Sequence, residues 1–313
     1  MNRDMNLDEQ ISFEPSIVNS TEERFQKFLV CGMGGSGFPA RALLFLNPSL
    51  PVTLHSDFGA PEDIDTDTLC VAVSYSGNTA ETLSFAKEIL ARKLSLAVIT
   101  SGGELLEMTK VNGLQHIVVP GGLLPRDALL YLLKSLAFTI NTEDVLSGLG
   151  NITVDEAALT KEGERLSEDF HGVIPLIYSS TDNATIGYLW NTLTEEFAKI
   201  PVFTNIFPEL SHNELEAIVA QGKSANLTGD LRILLIHSEG DDKRIEHEMT
   251  AFTDLASSHG TSITSTNKLP EDKLTRLIHG WIMARGFALA LAKYYGVLDP
   301  GATPIIDELK KKL

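Results

Sequence analysis

Short apolar runs alternate along the chain with segments whose apolar positions follow the helical period, a pattern typical of parallel α/β structure. In the first half, the apolar runs predict strands in KFLVCGM, VTLHSDF, TLCVAVSYS, SLAVITS and HIVVP. Helical periodicity predicts helices near residues 38–46, 79–92, 104–109 and 126–141.

The alternation stops at an acidic, turn-prone stretch, NTEDVLSGLGNITVDE, and then restarts. The second half predicts strands in VIPLIYSS, PVFTN, RILLIHSE and TSITSTN. Helices are expected near residues 184–199, 211–221, 243–259, 270–295 and 304–313. The sequence therefore predicts an α/β protein with two domains, residues 1–150 and 151–313, each a mainly parallel sheet flanked by helices.

Composition restricts the kind of partner. The 313 residues are 43% hydrophobic and 21% charged, which is enough to bury a core. The 42 Asp and Glu residues outnumber the 25 Lys and Arg residues and leave a formal net charge of −17. This charge repels a phosphodiester backbone and argues against nucleic-acid binding. An anionic ligand must therefore be held by a local arrangement of donors.

No stretch of the sequence indicates a membrane partner or an export signal. The opening MNRDMNLDEQ is polar and acidic, without the apolar region of a secretory signal. No apolar run approaches the roughly 20 residues that a bilayer span requires. Cys31 and Cys70 lie in strand-like runs and are expected to stay reduced in the core. We expect a cytoplasmic protein.

The stretch CGMGGSGF, residues 31–38, follows an apolar run and precedes a predicted helix. Gly32, Gly34 and Gly37 have the G-x-G-x-x-G spacing of a dinucleotide-binding loop, and Asp57 follows about twenty residues later. An acidic residue in that place would bind a ribose hydroxyl. Taken alone, this stretch is compatible with a nicotinamide or flavin enzyme.

A second loop, SYSGNTAET, favours a different ligand. Ser74, Ser76 and Thr79 cluster with Gly77 between a strand and the next predicted helix. Hydroxyls and the unpaired N–H groups of a helix N-terminus bind phosphate, and glycine lets the backbone approach it. The alternative is that residues 76–79 form only a helix cap and a turn. Because both loops follow strands, where open sheets bind ligands, we favour one phosphate site shared with Ser36.

At these two loops the sequence resembles a known family. GMGGSG followed by SYSGNTAETL is similar to the sugar isomerase (SIS) domain. The segments PGGLLPRDAL, TEEFAKIP, FPELSHNELE and GVLDPGATPIIDELKKKL resemble one branch of it, the bifunctional phosphoglucose/phosphomannose isomerases. The resemblance covers both halves and implies two SIS-type domains. It also implies interconversion of glucose 6-phosphate or mannose 6-phosphate with fructose 6-phosphate.

The resemblance implies roles for individual residues. Glu196 matches the catalytic glutamate, which moves a proton between C1 and C2 through a cis-enediol or enediolate; from local sequence alone Glu195 competes with it. His212 matches the histidine that opens the sugar ring, and in the family it reaches the site from the adjoining subunit. The resemblance therefore implies a homodimer. A helix start with Ser211 as cap and Glu214 as capping-box partner would hold this histidine.

Other residues match binding or stabilising groups of the family. Arg126 matches the arginine that faces the enediolate, where a cation stabilises developing negative charge. Thr303 matches a threonine that helps a C2 epimer to fit. Lys310 matches a C-terminal lysine, for which the other two lysines of KKK also remain candidates. Gly35 and Ser36 join the hydroxyls of the second loop as substrate-binding residues.

The sequence predicts no metal ion and no other cofactor. Its eight histidines are scattered, and no H-x-H, H-x₃-H or C-x₂-C spacing occurs. The alternatives are a non-catalytic sugar-phosphate-binding protein, another SIS-type isomerase and a dinucleotide oxidoreductase. The occurrence of Glu196 with His212 favours turnover over binding alone, and an oxidoreductase leaves the second loop unexplained.

Overall fold

The computed structural model describes residues 5–219, 226, 228–310 and 312. The chain divides into two compact units: the first unit is Met1–Ile152 with Pro304–Leu313, and the second unit is Thr153–Thr303. The sequence pattern predicts a boundary near residue 150, with the last helix in the second half. The structure groups that helix with the first unit instead.

In the described part of the first unit, five parallel strands form one sheet: β1 (Lys27–Cys31), β2 (Val52–His55), β3 (Thr68–Ser74), β4 (Leu96–Thr100) and β5 (Gln115–Val118). Their order across the sheet is β2-β1-β3-β4-β5, so β1 and β3 are neighbours although β2 lies between them in the chain. Every residue of β3 and β4 is buried, as continuous apolar runs predict for strands covered on both faces.

The helices that precede the second unit are α1 (Leu7–Ser12), α2 (Gly34–Leu46), α3 (Ala80–Ala91), α4 (Gly103–Asn112), α5 (Leu129–Thr139) and α6 (Glu143–Asn151). The helix predicted over 126–141 begins only at Leu129, because Pro125–Asp127 form a separate 3-10 turn. α6 lies inside the stretch predicted to be turn-prone. Its Val145 and Leu149, four residues apart, are buried on one face.

In the described part of the second unit, a parallel sheet of four strands contains β6 (Ile174–Ser180), β7 (Phe203–Phe207), β8 (Leu231–Ile236) and β9 (Ile263–Ser265), in the order β7-β6-β8-β9. Its helices are α7 (Glu156–Ser167), α8 (Ala184–Ala198), α9 (Glu214–Ile218), α10 (Lys243–Ser258) and α11 (Lys273–Tyr294). The helix predicted over 211–221 is instead a 3-10 turn, Glu209–His212, followed by the short α9.

The long α11 packs against α7 and α8 to form the helical layer of the second unit. Trp190 of α8 and Trp281 of α11 are completely buried. α7 comes so close to α11 that a Cβ on Gly163 would overlap the carbonyl oxygen of Met283. α7 is not predicted from the sequence, and its buried residues are Gly163, Leu166 and Ser167.

The last helix, α12 (Pro304–Lys310), has no buried residue. No helix within the described ranges is both long enough and apolar enough to cross a bilayer.

Candidate active site

The two loops predicted to bind phosphate lie at one edge of the first unit's sheet. β1 and β3 are neighbouring parallel strands, with Cys31 opposite Ala72, so their carboxyl ends meet at the same edge. The order of the sheet reverses between these two strands, and open α/β sheets bind ligands at such a point. α2 begins at Gly34, shortly after β1, and α3 begins at Ala80, after the second loop that follows β3. The N-termini of two helices therefore face the same edge of the sheet.

One hydrogen bond holds the two loops to each other, and others fix the second loop internally. Ser36 is buried, and its Oγ accepts a hydrogen bond from the backbone N–H of Tyr75 at 3.0 Å. The Ser74 hydroxyl accepts from the N–H of Gly77 at 3.1 Å and lies 2.9 Å from the Oγ1 of Thr79. Ser36 and Ser74 therefore fix the conformation of the loops.

Ser76 and Thr79 carry the more accessible hydroxyls of the second loop. Ser76 is exposed, and its Oγ accepts from the N–H of Asn78 at 3.3 Å. Thr79 is the N-cap residue of α3, but its side chain makes no capping hydrogen bond. Thr79 therefore does not cap α3, which argues against the cap in the alternative interpretation, whereas the contact between Ser76 and Asn78 is that of a turn and is compatible with its other part.

Two glycines allow backbone segments to approach closely at this edge. Gly77 has a φ of +69°, and a Cβ there would overlap the carbonyl oxygen of Gly102. A Cβ on Gly35 would lie 2.9 Å from the backbone nitrogen of Arg126. The first loop therefore packs directly on the segment that carries the predicted catalytic arginine.

Arg126 lies in the 3-10 turn that precedes α5 and is 6% exposed. The buried Gln10 of α1 holds this turn. Its Nε2 donates to the carbonyl oxygen of Asp127 at 2.8 Å, and its Oε1 accepts from the N–H of Leu130 at 3.0 Å. Gln10 could not be predicted from the sequence, because a lone polar residue carries no signal of a contact across 117 residues.

Glu195 and Glu196 lie in the last turn of α8. Glu196 is half-buried, whereas Glu195 is exposed. Loss of hydration nonetheless raises the pKa of Glu195, and the charge of Glu196 contributes in the same direction. The two carboxylates thus differ in environment, and both stay candidates for a catalytic base.

Lys199 joins the end of α8 to the segment before Thr303. Its φ of +58° is the left-handed conformation that commonly follows a helix. Its Nζ donates to the carbonyl oxygens of Glu196 and Ala302, the latter at 2.6 Å. The structure therefore brings Glu196 close to the segment that leads into Thr303. The sequence analysis assigns no role to Lys199, although it lies in the quoted TEEFAKIP motif.

Within one chain, His212 is separated from Glu196 by the length of β7. α8 connects two parallel strands, so Glu196 lies towards the amino end of β7, whereas His212 follows its carboxyl end in an exposed turn. The five residues of β7 span about 17 Å at roughly 3.3 Å per residue. The structure therefore does not bring these two predicted catalytic residues together in one chain.

The predicted capping box beside His212 is wrong. α9 begins at Glu214 with Asn213 as its N-cap, so Glu214 is the first helical residue and not the third after a Ser211 cap. The Glu214 carboxylate instead accepts hydrogen bonds from the hydroxyl of Tyr178 and from a side-chain amide on β7. Burial, together with this contact, raises the pKa of Tyr178. Glu214 thus ties the segment after His212 to the sheet.

Lys310 lies at the end of α12 and is exposed. Of the other two lysines of the KKK segment, Lys311 lies outside the described residues and Lys312 pairs with Glu308 at 2.9 Å. The choice of Lys310 as the site lysine stays a prediction from the resemblance.

At the corresponding edge of the second unit's sheet, a carboxylate of the chain itself accepts the hydrogen bonds that a bound anion would need. The order of this sheet reverses between β6 and β8. Asp241 is 4% exposed and accepts hydrogen bonds from the Ser180 hydroxyl at 2.5 Å, the Asn183 amide at 2.8 Å and the Ser238 N–H at 2.7 Å. These donors are already used, so the first unit's edge is the better candidate for binding an anion.

Within the described ranges, no group of three or more His, Cys, Asp or Glu side chains is arranged to hold a metal ion.

Comparisons with known proteins identify the family that this chain resembles. A family model described as the bacterial phospho-glucose isomerase C-terminal SIS domain matches residues 159–313. The bifunctional phosphoglucose/phosphomannose isomerase of Thermoplasma acidophilum is 37% identical over 212 residues, 66% of each chain. The protein of the same name from Thermoplasma volcanium is 30% identical over 313 residues, 99% of this chain and 97% of that one.

A relative with a different name is also similar to this chain. The D-glucosamine-6-phosphate 4-epimerase of Sulfolobus acidocaldarius is 33% identical over 208 residues, 63% of this chain and 65% of that one. Among solved structures, a hypothetical protein from Thermus thermophilus has a TM-score of 0.69 at 18% identity, covering 92% of this chain and 83% of that one. Together with the SIS-domain match, this likeness confirms the predicted α/β architecture.

Proposed function

This chain belongs to the bifunctional phosphoglucose/phosphomannose isomerase family, a family of enzymes, and we propose that it interconverts glucose 6-phosphate and mannose 6-phosphate with fructose 6-phosphate. In coarser terms, it is a sugar-phosphate isomerase. The observation that carries the proposal is the pair of hydroxyl-bearing loops at the reversal point of the first sheet. In a chain with a net charge of −17, an anionic substrate needs such a local site.

In this proposal, the 6-phosphate binds at the edge where α2 and α3 begin. Backbone N–H groups of the two helix N-termini donate to it, together with the hydroxyls of Ser76 and Thr79. Ser36 holds the first loop to the second, Ser74 fixes the second loop internally, and Gly35 lets the first loop approach the segment of Arg126. Because the phosphate is remote from C1 and C2, its binding energy positions the reacting carbons.

Glu196 is the proposed base. Its carboxylate takes the proton from C2 of the aldose, and the electrons of that bond form the cis-enediolate. The hydroxyl proton of O2 passes to O1, and the same carboxylic acid returns the carbon-bound proton to C1. The carbonyl therefore forms at C2, which gives the ketose without any change in overall oxidation state. The half-buried position of Glu196 at the end of α8, where Lys199 fixes the helix end, supports this assignment over the exposed Glu195.

His212 is the proposed acid/base that opens the sugar ring, and it serves the site of a neighbouring copy of the chain. The separation of about 17 Å along β7 supports this, because a proton relay requires donors and acceptors about 3 Å apart. A two-fold symmetric homodimer would supply each site with the histidine of the other subunit.

Arg126, Thr303 and Lys310 complete the proposed site. Arg126 stabilises the negative charge of the enediolate, and its burial supports a strong electrostatic effect. Thr303 accommodates the C2 hydroxyl of either epimer. Lys310 is a further cation for the substrate, proposed from the resemblance alone.

Two other functions need a direct test. The similarity to the D-glucosamine-6-phosphate 4-epimerase favours chemistry at C4 of an amino-sugar phosphate as the second candidate. Dinucleotide binding is less well supported. Asp57 is exposed, and its carboxylate accepts a hydrogen bond from the adjacent N–H of Phe58 at 2.7 Å, as in an ordinary turn.

The proposal is tested by incubating the purified protein with fructose 6-phosphate in EDTA and measuring both glucose 6-phosphate and mannose 6-phosphate through coupled reactions. We expect both aldoses. Formation of neither, together with epimerisation of glucosamine 6-phosphate at C4, would contradict the proposal. Stabilisation of the protein by NAD(P) but not by 6-phosphogluconate would point to the oxidoreductase instead.

Two neighbouring variants test the choice of base. Glu196→Gln should lower kcat for both products by about 10²–10⁴-fold, the usual contribution of a general base, with 6-phosphogluconate affinity nearly unchanged. Glu195→Gln is the matched control and should retain most of the wild-type kcat. The reverse pattern would show that Glu195 is the base.

A further inference from the structure

Tyr75 lies between Ser74 and Ser76 in the second loop, and no role has yet been assigned to it. It is 4% exposed. Its N–H donates to the Oγ of Ser36 in the first loop at 3.0 Å. Its carbonyl oxygen accepts from the N–H of Ser101 at 3.0 Å and from the Oγ of Ser101 at 2.5 Å. The backbone of one residue therefore links the loops that follow β1, β3 and β4.

The side chain of Tyr75 reaches a fourth loop, the one that follows β5. Its hydroxyl donates to the carbonyl oxygen of Pro120 at 2.8 Å and accepts from the N–H of Leu123 at 3.1 Å. Both partners lie in the segment 120–126, which ends at Arg126. This segment contains two adjacent glycines and so has little rigidity of its own. The Tyr75 hydroxyl makes two hydrogen bonds that restrain this segment.

We infer that Tyr75 is a positioning residue that couples the phosphate-binding loops to Arg126. The inference rests on the proposed function. A cation stabilises a developing charge only when it is held in place before the reaction, and the phosphate holds the far end of the same substrate. Tyr75 sets the position of Arg126 relative to the phosphate-binding loops through its contacts with Ser36 and Leu123.

The variant Tyr75→Phe tests this directly, because it keeps the ring and removes only the two hydroxyl hydrogen bonds. We expect kcat with fructose 6-phosphate to fall about tenfold, with KM and 6-phosphogluconate affinity changed by no more than about twofold. Tyr295→Phe is the matched control. The Tyr295 hydroxyl also accepts a backbone N–H, from Gly172 at 2.9 Å, and donates to the carbonyl oxygen of Phe170 at 3.4 Å. It lies in the second unit, and its loss should leave kcat unchanged.

A double-mutant cycle separates positioning from a general structural effect. In an Arg126→Ala background, Tyr75→Phe should lower kcat by less than about twofold, because the group that Tyr75 positions is already absent. The inference is overturned by a full tenfold fall in that background. It is also overturned if Tyr75→Phe alone retains the wild-type kcat, or if it weakens ligand binding without changing kcat.

Hydrogen exchange on the wild-type protein gives a second test that needs no variant. Binding of 6-phosphogluconate should slow exchange of the Leu123 amide, because the occupied loops hold Tyr75 and Tyr75 holds that N–H. Unaltered exchange at Leu123 in the liganded protein would overturn the inference. A wild-type protein without isomerase activity would instead refute the proposed function, whatever the exchange at Leu123 shows.

Discussion

Two variants that are each inactive alone should form an active mixed dimer when it contains one subunit of each. Glu196→Gln removes the proposed base, and His212→Ala removes the proposed ring-opening group. We expect each variant alone to have at most about 1% of the wild-type turnover, the lower bound of a general acid–base contribution. If His212 serves the neighbouring subunit, a hybrid of the two variants contains one site with both groups intact and one site with neither.

The turnover expected of the hybrid dimer follows from the geometry of the second unit. Glu196 and His212 lie beyond opposite ends of the five-residue β7, about 17 Å apart along the strand. A proton relay cannot cross that distance within one chain. The hybrid should therefore show about half the turnover of a wild-type dimer, since one of its two equivalent sites is complete.

The assay uses two affinity tags, with the variants expressed together and the hybrid isolated by sequential purification. Turnover is measured with fructose 6-phosphate. The control is a hybrid of Glu196→Gln with the double variant Glu196→Gln/His212→Ala, in which no site is complete. A hybrid of the two single variants that is no more active than this control would refute the shared site, as would a fully active His212→Ala protein.

Three further predictions concern the loops and caps. Gly77→Ala should lower the free energy of unfolding by more than the roughly 1–2 kcal/mol of a strained backbone, because the new Cβ also overlaps a carbonyl oxygen. The control Gly113→Ala has a similar positive φ but open space around the new Cβ, so it should show the backbone strain alone. Equal losses of stability for the two variants in thermal melts would contradict this prediction. Asp241→Asn should cost on the order of 2–3 kcal/mol in denaturant unfolding, since an amide cannot accept all three hydrogen bonds, and an unchanged midpoint would contradict that network. Hydrogen bonds from Thr275 lower the pKa of Asp272, so its contribution to stability is present above its ordinary pKa of 3.8 and is lost as the pH falls through the lower folded-state pKa. Asp272→Ala should therefore cost about 1 kcal/mol at pH 7 and much less in strong acid, and a cost independent of pH would refute the cap.

The parts of the fold that depend on local patterns could be predicted. β3 is a run of apolar residues followed by a turn rich in hydroxyls, and this pattern marked both the strand and the start of α3. The two candidate loops lie at one edge because parallel strands place their carboxyl ends together.

The errors occur where distant contacts decide the structure. The stretch that contains α6 is predicted to be turn-prone, yet Val145 and Leu149 are buried and α6 packs against α5 and α1. α7 is polar along most of its length, and Gly163 weakens its helical signal. That glycine is needed where the backbone of α11 passes close by.

The contacts that shape the candidate site were the hardest to predict. Glu214 fits a capping box by spacing alone, but the preceding 3-10 turn shifts the helix start, and Tyr178 draws its carboxylate towards the sheet. Gln10 and Lys199 act through side-chain hydrogen bonds to backbone groups that are distant in the sequence. Such bonds leave no periodic pattern in the sequence.

The account depends most on where the phosphate binds, and a crystal structure of the protein with 6-phosphogluconate measures this directly. We predict that the phosphate oxygens lie within hydrogen-bond distance of the Ser76 and Thr79 hydroxyls, at the N-terminus of α3. A phosphate bound at any other place, with both hydroxyls left in solvent, would contradict the account.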